Sequence, residues 1–267
     1  YFTEDKMHRY ADMMKSYGFM DVQLNVEDLT PYGKSDLEVL QDAYHHLAID
    51  PYGGQEANRS RAYSRFLMMP WSGEVHEIPD KETELGKVAG YFQGEFNPEH
   101  PQDPVRYIRA IPRAIRRSRL IKALIKHDYR ATFWDQEQLS HPIHVGVHMV
   151  RLCVSASFPV AISSPNLVHR DGEQFTFAHL IDRKNCTGGG NIIATKESAN
   201  QKVENLLDKD ILKRFELNKP LHSYGVCDKM VSHYVYPLQF MKSQQDFGYR
   251  HVLLVDFSAM AQKLDQP

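Results

Sequence analysis

Leu167-Val168-His169-Arg170-Asp171-Gly172-Glu173, running into Phe175-Thr176-Phe177-Ala178-His179-Leu180, sets the pattern for this chain. An imidazole and a carboxylate stand two residues apart just ahead of an alternating, β-prone run. Side chains on a strand repeat every second residue, so His169 and Asp171 project from one face, about 7 Å apart along the chain. Both can reach one metal ion there. A third ligand from a distant strand would complete a two-histidine, one-carboxylate face and leave the opposite positions open, which suits non-haem Fe(II) and O2 chemistry. The competing reading is a surface aspartate beside a core histidine, since His-x-Asp is short and the chain holds 14 histidines.

Working outward, the chain from residue 142 is a series of short strands with turn signals, the pattern of an all-β core. His144, Gly146, His148 and Val150 alternate with Val145, Val147, Met149 and Arg151. Ser163-Ser164-Pro165 precedes the His169–Asp171 pair and a strand over 175–182 follows it. Asn185 to Gly190 turns, and Asn191-Ile192-Ile193-Ala194 pairs back. Gly188-Gly189-Gly190 does not open a helix after a strand, so it is not read as a phosphate cradle. Residues 196–214 read as helical, with final strands near 222–227, 229–236 and 250–257. Eight or so short strands after helical cladding are what a jelly roll shows.

Upstream, residues 3–17 carry Met7, Tyr10, Met13, Met14 and Tyr17 at helical spacing, with Gly18 where a C-cap would stand. Phe19 to Val26 alternates like a strand, and Ser35 caps a second helix through about His46. Asn58-Arg59-Ser60-Arg61-Ala62-Tyr63-Ser64-Arg65-Phe66 alternates so that three guanidinium groups share one strand face. Such a row either holds a carboxylate bidentately or protects a solvated edge strand with charge. Residues 70–105 form a long excursion rich in Pro, Gly and charge, with a strand expected over Val88 to Phe96. Pro112 opens a helix running to about His127, with Ile115, Leu120, Ile121, Leu124 and Ile125 as its apolar stripe. Its basic residues, Arg113 to Lys126, are a solvated face.

The 267 residues read as one mainly β domain with helical cladding, an N-terminal helical part over about 1–140 and a core over about 142–258. A net charge of −2 supplies no field for nucleic acid or an anionic membrane, and no apolar run approaches the length of a membrane helix. Nothing in Tyr1 to Met20 reads as a signal peptide. Cys153, Cys186 and Cys227 are scattered, which points to reduced thiols and a cytoplasmic address. A homodimer is compatible with the sequence, which specifies no oligomeric state.

Four histidines compete as third ligand: His179, His222, His233 and His251. His233 lies in a strand that Pro237 ends, and Arg250 opens the strongest strand signal in the chain, Arg250-His251-Val252-Leu253-Leu254-Val255-Asp256-Phe257. A buried arginine there needs an anion, either an Asp or Glu or the carboxylate of a dicarboxylic co-substrate.

This order of residues resembles the Fe(II)/2-oxoglutarate dioxygenases, in segments closest to the bacterial free amino-acid hydroxylase branch typified by L-isoleucine dioxygenase. The likeness runs through Arg61 with Tyr63-Ser64-Arg65, His148 with Arg151, Ser163-Ser164-Pro165 and His169 to Glu173. It continues in His179-Leu180, Gly188-Gly189 with Asn191, His233 with Val235 and Pro237-Leu238, then Arg250 and Phe257-Ser258. It covers roughly residues 58–258 and departs at the insertion around 70–105 and at Met149. The resemblance implies a double-stranded β-helix (a jelly roll, cupin-like), with His169, Asp171 and His233 as iron ligands and Arg250 on the C5 carboxylate of 2-oxoglutarate. It implies Fe(II), 2-oxoglutarate and O2 as the working set, with ascorbate as assay reductant and succinate and CO2 as co-products. A zwitterionic substrate then needs a cation for its carboxylate, for which Arg61, Arg65 and Arg151 are candidates. Glu173 is the candidate for the amine, with Ser164 as a neutral helper, and Met149 suits an aliphatic side chain. Two other classes stay open at this stage: the same chemistry on a protein or RNA, docked by the basic helix, and a non-catalytic jelly roll.

Overall fold

The structure is a computed structural model that describes residues 4–54, 57–84, 86–92, 105–163, 166–241 and 246–261. Its helices are α1 (Glu4–Tyr17), α2 (Val26–Leu29), α3 (Gly33–Tyr44), α4 (Arg113–Arg116), α5 (Arg119–Ala131) and α6 (Gln136–Leu139). The strands of the first half are β1 (Phe19–Gln23), β2 (Arg59–Met68), β3 (Val75–Glu77), β4 (Lys81–Thr83), β5 (Gly86–Phe92) and β6 (Val105–Arg109). The second half supplies β7 (Ile143–Ser155), β8 (Val160–Ala161), β9 (Phe175–Lys184), β10 (Cys186–Gly188) and β11 (Gly190–Thr195). It ends with β12 (Ile211–Glu216), β13 (His222–Cys227), β14 (Val231–Val235), β15 (Leu238–Phe240) and β16 (Phe247–Ala259).

Buried on both faces, β7, β9 and β16 form the middle of a seven-stranded sheet, ordered β1-β13-β9-β16-β7-β2-β3, with every pairing antiparallel. One face carries Val145, Val147, Met149, Phe175, Phe177, Leu253, Val255 and Phe257, which pack on Leu40, Leu120, Ile121, Leu124 and Ile125 of α3 and α5. The other face is covered by two three-stranded sheets. Val150, Leu152 and Val154 meet Ala161, Cys186 and Leu238 of the β10-β15-β8 sheet. Ala178, Leu180, Tyr224 and Val252 meet Ile193 and Val231 of the β12-β11-β14 sheet. This is the mainly β jelly roll expected, with helices on the outer face of the large sheet.

Several local expectations change. The chain over 196–214 is three 3-10 turns followed by β12, because Asn200 sits at φ 69° and Val203, Leu206 and Ile211 pack separately onto Ile192 and Tyr234. The strand after Phe19 stops at Gln23, and Asn25 caps α2 by accepting from the Glu27 N–H. Helix α3 starts at Gly33, ahead of Ser35, and ends at Tyr44. The helix expected from Pro112 is two helices, because Arg117 leaves helical geometry and Ser118 caps α5 through the Ile121 N–H. The strand expected over 88–96 is β5, ending at Phe92, with 93–96 outside the described residues. Strand β2 is no solvated edge: β7 and β3 flank it. Gly18, at φ 77°, closes α1 as expected.

Candidate active site

Between the large sheet and its covering sheets lies a cavity of about 410 Å³, and the His169–Asp171 pair opens onto it. His169 is tied to His233 by two backbone hydrogen bonds, each N–H donating to the other's carbonyl at 2.9 Å. β14 in turn is held by β11, with Ile193 opposite His233. The ligand atoms of His169, Asp171 and His233 all fall within 4.8 Å of one another. Asp171 lies between the imidazoles, Oδ1 at 3.5 Å from His169 Nε2 and Oδ2 at 3.5 Å from His233 Nε2. His169 Nδ1 sits 3.1 Å from the Leu167 carbonyl, so it is the protonated nitrogen, leaving the Nε2 lone pair facing Asp171. Burial pushes His233 down to about 4, against the pull of Asp171. Burial works to raise Asp171, but the neighbouring His233 and His169 outweigh it and hold the carboxyl below its ordinary value. Two imidazoles and one carboxylate, His233 from β14 and His169 with Asp171 from the segment ahead of β9, are a donor set for one divalent metal.

The other three histidines are engaged elsewhere. His179 lies on the helix face, bonded to Asp128 at 2.8 Å and to Ser223 at 2.8 Å. His222 pairs with Asp21 at 2.8 Å. His251 is fully buried, stacked between Tyr44 and Tyr249.

Arg250 is buried, faces the cavity and forms no ion pair among the described residues, and its Nε makes no hydrogen bond. Arg183, opposite it in the register, is already satisfied by Glu216 and by the Leu217 carbonyl at 2.9 Å. Burial lowers Arg250 to about 10, still charged at neutral pH. A desolvated guanidinium aimed into a cavity calls for an anion. Gly189 permits its position, since a Cβ there would come within 3.2 Å of Arg250 Cδ.

The expected substrate residues divide. Arg61 and Glu173 line the cavity. Tyr91 Oη donates to Glu173 Oε1 at 3.1 Å, while the buried Glu173 Oε2 has no partner. Burial, reinforced by Asp256, Asp171 and Asp228, raises the Glu173 carboxyl well above its ordinary value. Met149 is a correction: it is on the helix face, wholly buried in the outer core, because the residues that reach the cavity from β7 are its neighbours His148 and Val150. Arg151 shares that outer face and reaches the His45 carbonyl at 3.3 Å, so it too is off the cavity. Arg65 shares the face of Arg61 but stands four residues further along β2 and does not line the cavity. Ser164 lies outside the described residues.

Arg59, part of the arginine row on β2, lines the cavity too, as do Tyr91, Tyr224 and the His148–Asp256 pair, which no sequence motif marked. Tyr91 sits in the excursion and has no motif of its own. Asp256 lies directly across from Gly146 in the strand register, a pairing that the sequence alone does not mark.

The family model for the 2OG-Fe dioxygenases matches residues 41–256. The chain is a member of that family. Among curated relatives, this dioxygenase is 29% identical over 228 residues to the 3(1)-hydroxy-L-isoleucine 4-dioxygenase of Pantoea ananatis (strain AJ13355), covering 79% of this chain and 86% of the relative. It is 27% identical over 257 residues to the L-isoleucine-4-hydroxylase of Bacillus thuringiensis, covering 96% and 95%. Two crystal structures share the fold: IDO from Bacillus thuringiensis, with a TM-score of 0.72 at 24% identity over 96% of this chain and 100% of that one. The other is a bsmA homolog from Methylobium petroleophilum PM1, at 0.72 and 17% identity over 95% and 93%. The family implies Fe(II), 2-oxoglutarate and O2, and the His169–Asp171–His233 cluster has the donor chemistry that such an iron requires.

Proposed function

We propose that this 2OG-Fe dioxygenase hydroxylates an sp3 carbon of a free L-amino acid with a mostly aliphatic side chain. The single observation that carries the reading is the pair of curated relatives, one a 3(1)-hydroxy-L-isoleucine 4-dioxygenase and one an L-isoleucine-4-hydroxylase by name, matched over most of the chain. The cavity is compatible with it. Val150, Leu152, Ile162, Val235, Val252 and Leu254 give apolar walls, with guanidinium and carboxylate groups interspersed. In this reading His169, Asp171 and His233 hold Fe(II), and Arg250 holds the C5 carboxylate of 2-oxoglutarate. Arg61 takes the amino-acid carboxylate and Glu173 its ammonium. When bound, Fe(II) with 2-oxoglutarate and O2 supplies the oxidation that turns C–H into C–OH, releasing succinate and CO2. The protein's own part is to position and to keep water out: the triad's hydrogen bonds orient the donors, and the apolar walls set the reacting carbon.

The basic helix offers little to a macromolecule. Arg116 pairs with Glu77 at 2.7 Å and Asp80 at 2.5 Å, Arg117 with Glu77 and Arg119 with Asp36, so much of its charge is already spent. Among the described residues no helix is long and apolar enough to cross a membrane. A cytoplasmic address is supported by three free cysteines.

The test is a screen of the L-amino acids with Fe(II), ascorbate and 2-oxoglutarate, read by mass gain of one oxygen. Leu, Ile, Val or Met should couple succinate formation to hydroxylation better than Lys, Arg or Glu. Hydroxylation of a charged amino acid with no turnover of any aliphatic one would sink the reading.

A further inference from the structure

The cavity wall contributed by β2, β5, β7 and β16 holds a connected chain of polar contacts. Asp256 accepts the Gly146 N–H at 3.1 Å on Oδ1 and faces His148 Nε2 at 3.0 Å with Oδ2. Gly146 is what lets that carboxylate sit there, since a Cβ would come within 2.3 Å of Oδ2. His148 Nδ1 is 2.7 Å from Arg61 Nη2. A guanidinium has only donors, so Nδ1 must be the accepting nitrogen and the imidazole proton must be on Nε2, donated to Asp256. The tautomer is therefore fixed from both ends. Tyr63 stacks on the imidazole with ring centroids 4.3 Å apart and holds its plane.

Arg61 is thus aimed, but it is not saturated. Its buried Nε has no partner, and Asp50 stands 4.0 Å from Nη1 while giving its close contact, 2.8 Å, to Arg59. The guanidinium lies 5.1 Å over the Tyr91 ring. The hydroxyl of that same tyrosine holds Glu173 by one oxygen and leaves the other buried and open. One aromatic side chain therefore sits between an under-used cation and an under-used carboxylate, both on the cavity wall.

We infer that Arg61, Tyr91 and Glu173 form a clamp for the zwitterionic head of the amino acid, and that His148 and Asp256 are positioning residues that aim Arg61. This rests on the amino-acid reading above and adds the device by which the head group is recognised. The clamp demands both a free α-carboxylate and a free α-amine. Arg61 serves the first and Glu173 the second, with Tyr91 setting the spacing between them.

The experiment compares L-isoleucine, its α-carboxamide and its 2-hydroxy analogue on the iron-loaded enzyme, by KM and kcat with succinate as readout. In the wild type the amide and the hydroxy acid should each show a KM about tenfold or more above that of the amino acid, because each leaves a buried polar group without its partner. Asp256→Asn offers His148 an amide where a carboxylate stood and frees Arg61. The KM for L-isoleucine should rise about tenfold, that for 2-oxoglutarate far less, and that for the amide hardly at all. A parallel rise for amino acid and amide, or no rise for either, overturns the positioning role. Tyr91→Phe keeps the ring and removes the hydroxyl, so it should reduce the preference for amine over hydroxyl; an unchanged preference overturns the clamp. If Asp256→Asn does not fold, His148→Leu, which removes the acceptor that aims Arg61, replaces it with the same expected split. Failure of the wild type to act on any aliphatic amino acid would instead overturn the substrate reading itself.

Discussion

Arg250 and the metal-ligating cluster carry the chemistry through properties of single side chains. A guanidinium presents a planar two-point grip that an ammonium cannot reproduce. Arg250→Lys should therefore raise the KM for 2-oxoglutarate about tenfold while moving that of the amino acid much less. Kinetics with each substrate varied in turn check this, and the reverse pattern would put Arg250 in the amino-acid site. His169→Ala, Asp171→Ala or His233→Ala should each abolish 2-oxoglutarate turnover and Fe(II) binding by titration, with the circular dichroism of the wild type retained. A His233→Ala protein that stays active while His222→Ala dies would overturn that ligand set. The pair His169–Asp171 was legible because its spacing is local, although the chain there is a single bridge at His169 with Asp171 in the loop ahead of β9 rather than the strand expected. The choice of His233 among four histidines was not, because it depends on a backbone bridge between residues far apart in sequence.

At the scale of elements, α5 is fastened to the large sheet by more than its apolar stripe. Asp128, wholly buried, bridges His127 at 3.0 Å and His179 at 2.8 Å, and His179 passes the contact to Ser223. Burial would raise the Asp128 carboxyl, but His179 and His127 outweigh it and hold it below its ordinary value. Asp128→Ala strands His179 without its partner inside the core and should cost about 2–4 kcal/mol in urea unfolding, with Fe(II) binding retained in the folded fraction. Loss of iron binding in a folded Asp128→Ala protein would show instead that the clip belongs to the site. The stripe itself was plain from spacing. The break at Arg117 was not, since a helix broken and recapped within three residues looks continuous to a periodicity argument.

For the molecule as a whole, burial depresses several histidines, His144 among them. Burial lowers His148 to about 4, His233 to about 4 and His251 to about 3, from an ordinary 6.5. Each binds its proton more readily unfolded than folded. Their contribution to stability is thus intact above pH 6.5 and falls as the pH drops through the window from 6.5 towards 4. The metal-free protein should lose up to about 1.4 kcal/mol per pH unit per such histidine across that window. Urea midpoints from pH 7 to 4.5 measure it. His251→Leu, in which neither ring nitrogen loses a hydrogen bond, should flatten the slope; an unchanged slope would exclude His251 as a contributor.

What the sequence determined by itself is what local periodicity encodes. The strands of the second half and the apolar stripe of α5 each follow from the repeat of a single element, and the His169-x-Asp171 spacing is close enough along the chain to bring both side chains to one site. Arg61 and Glu173 were likewise marked by their place on a strand face or beside the pair. Only the tertiary structure decided which face of β7 meets the cavity, and with it that His148 lines the site while Met149 and Arg151 do not. Alternation shows that two faces differ, but both faces of this central sheet are buried, so polarity alone does not say which one looks inward. Tyr91 was invisible for a related reason: its role exists because β5 lays its ring against Tyr63 and His148, contacts between strands that no spacing along the chain records.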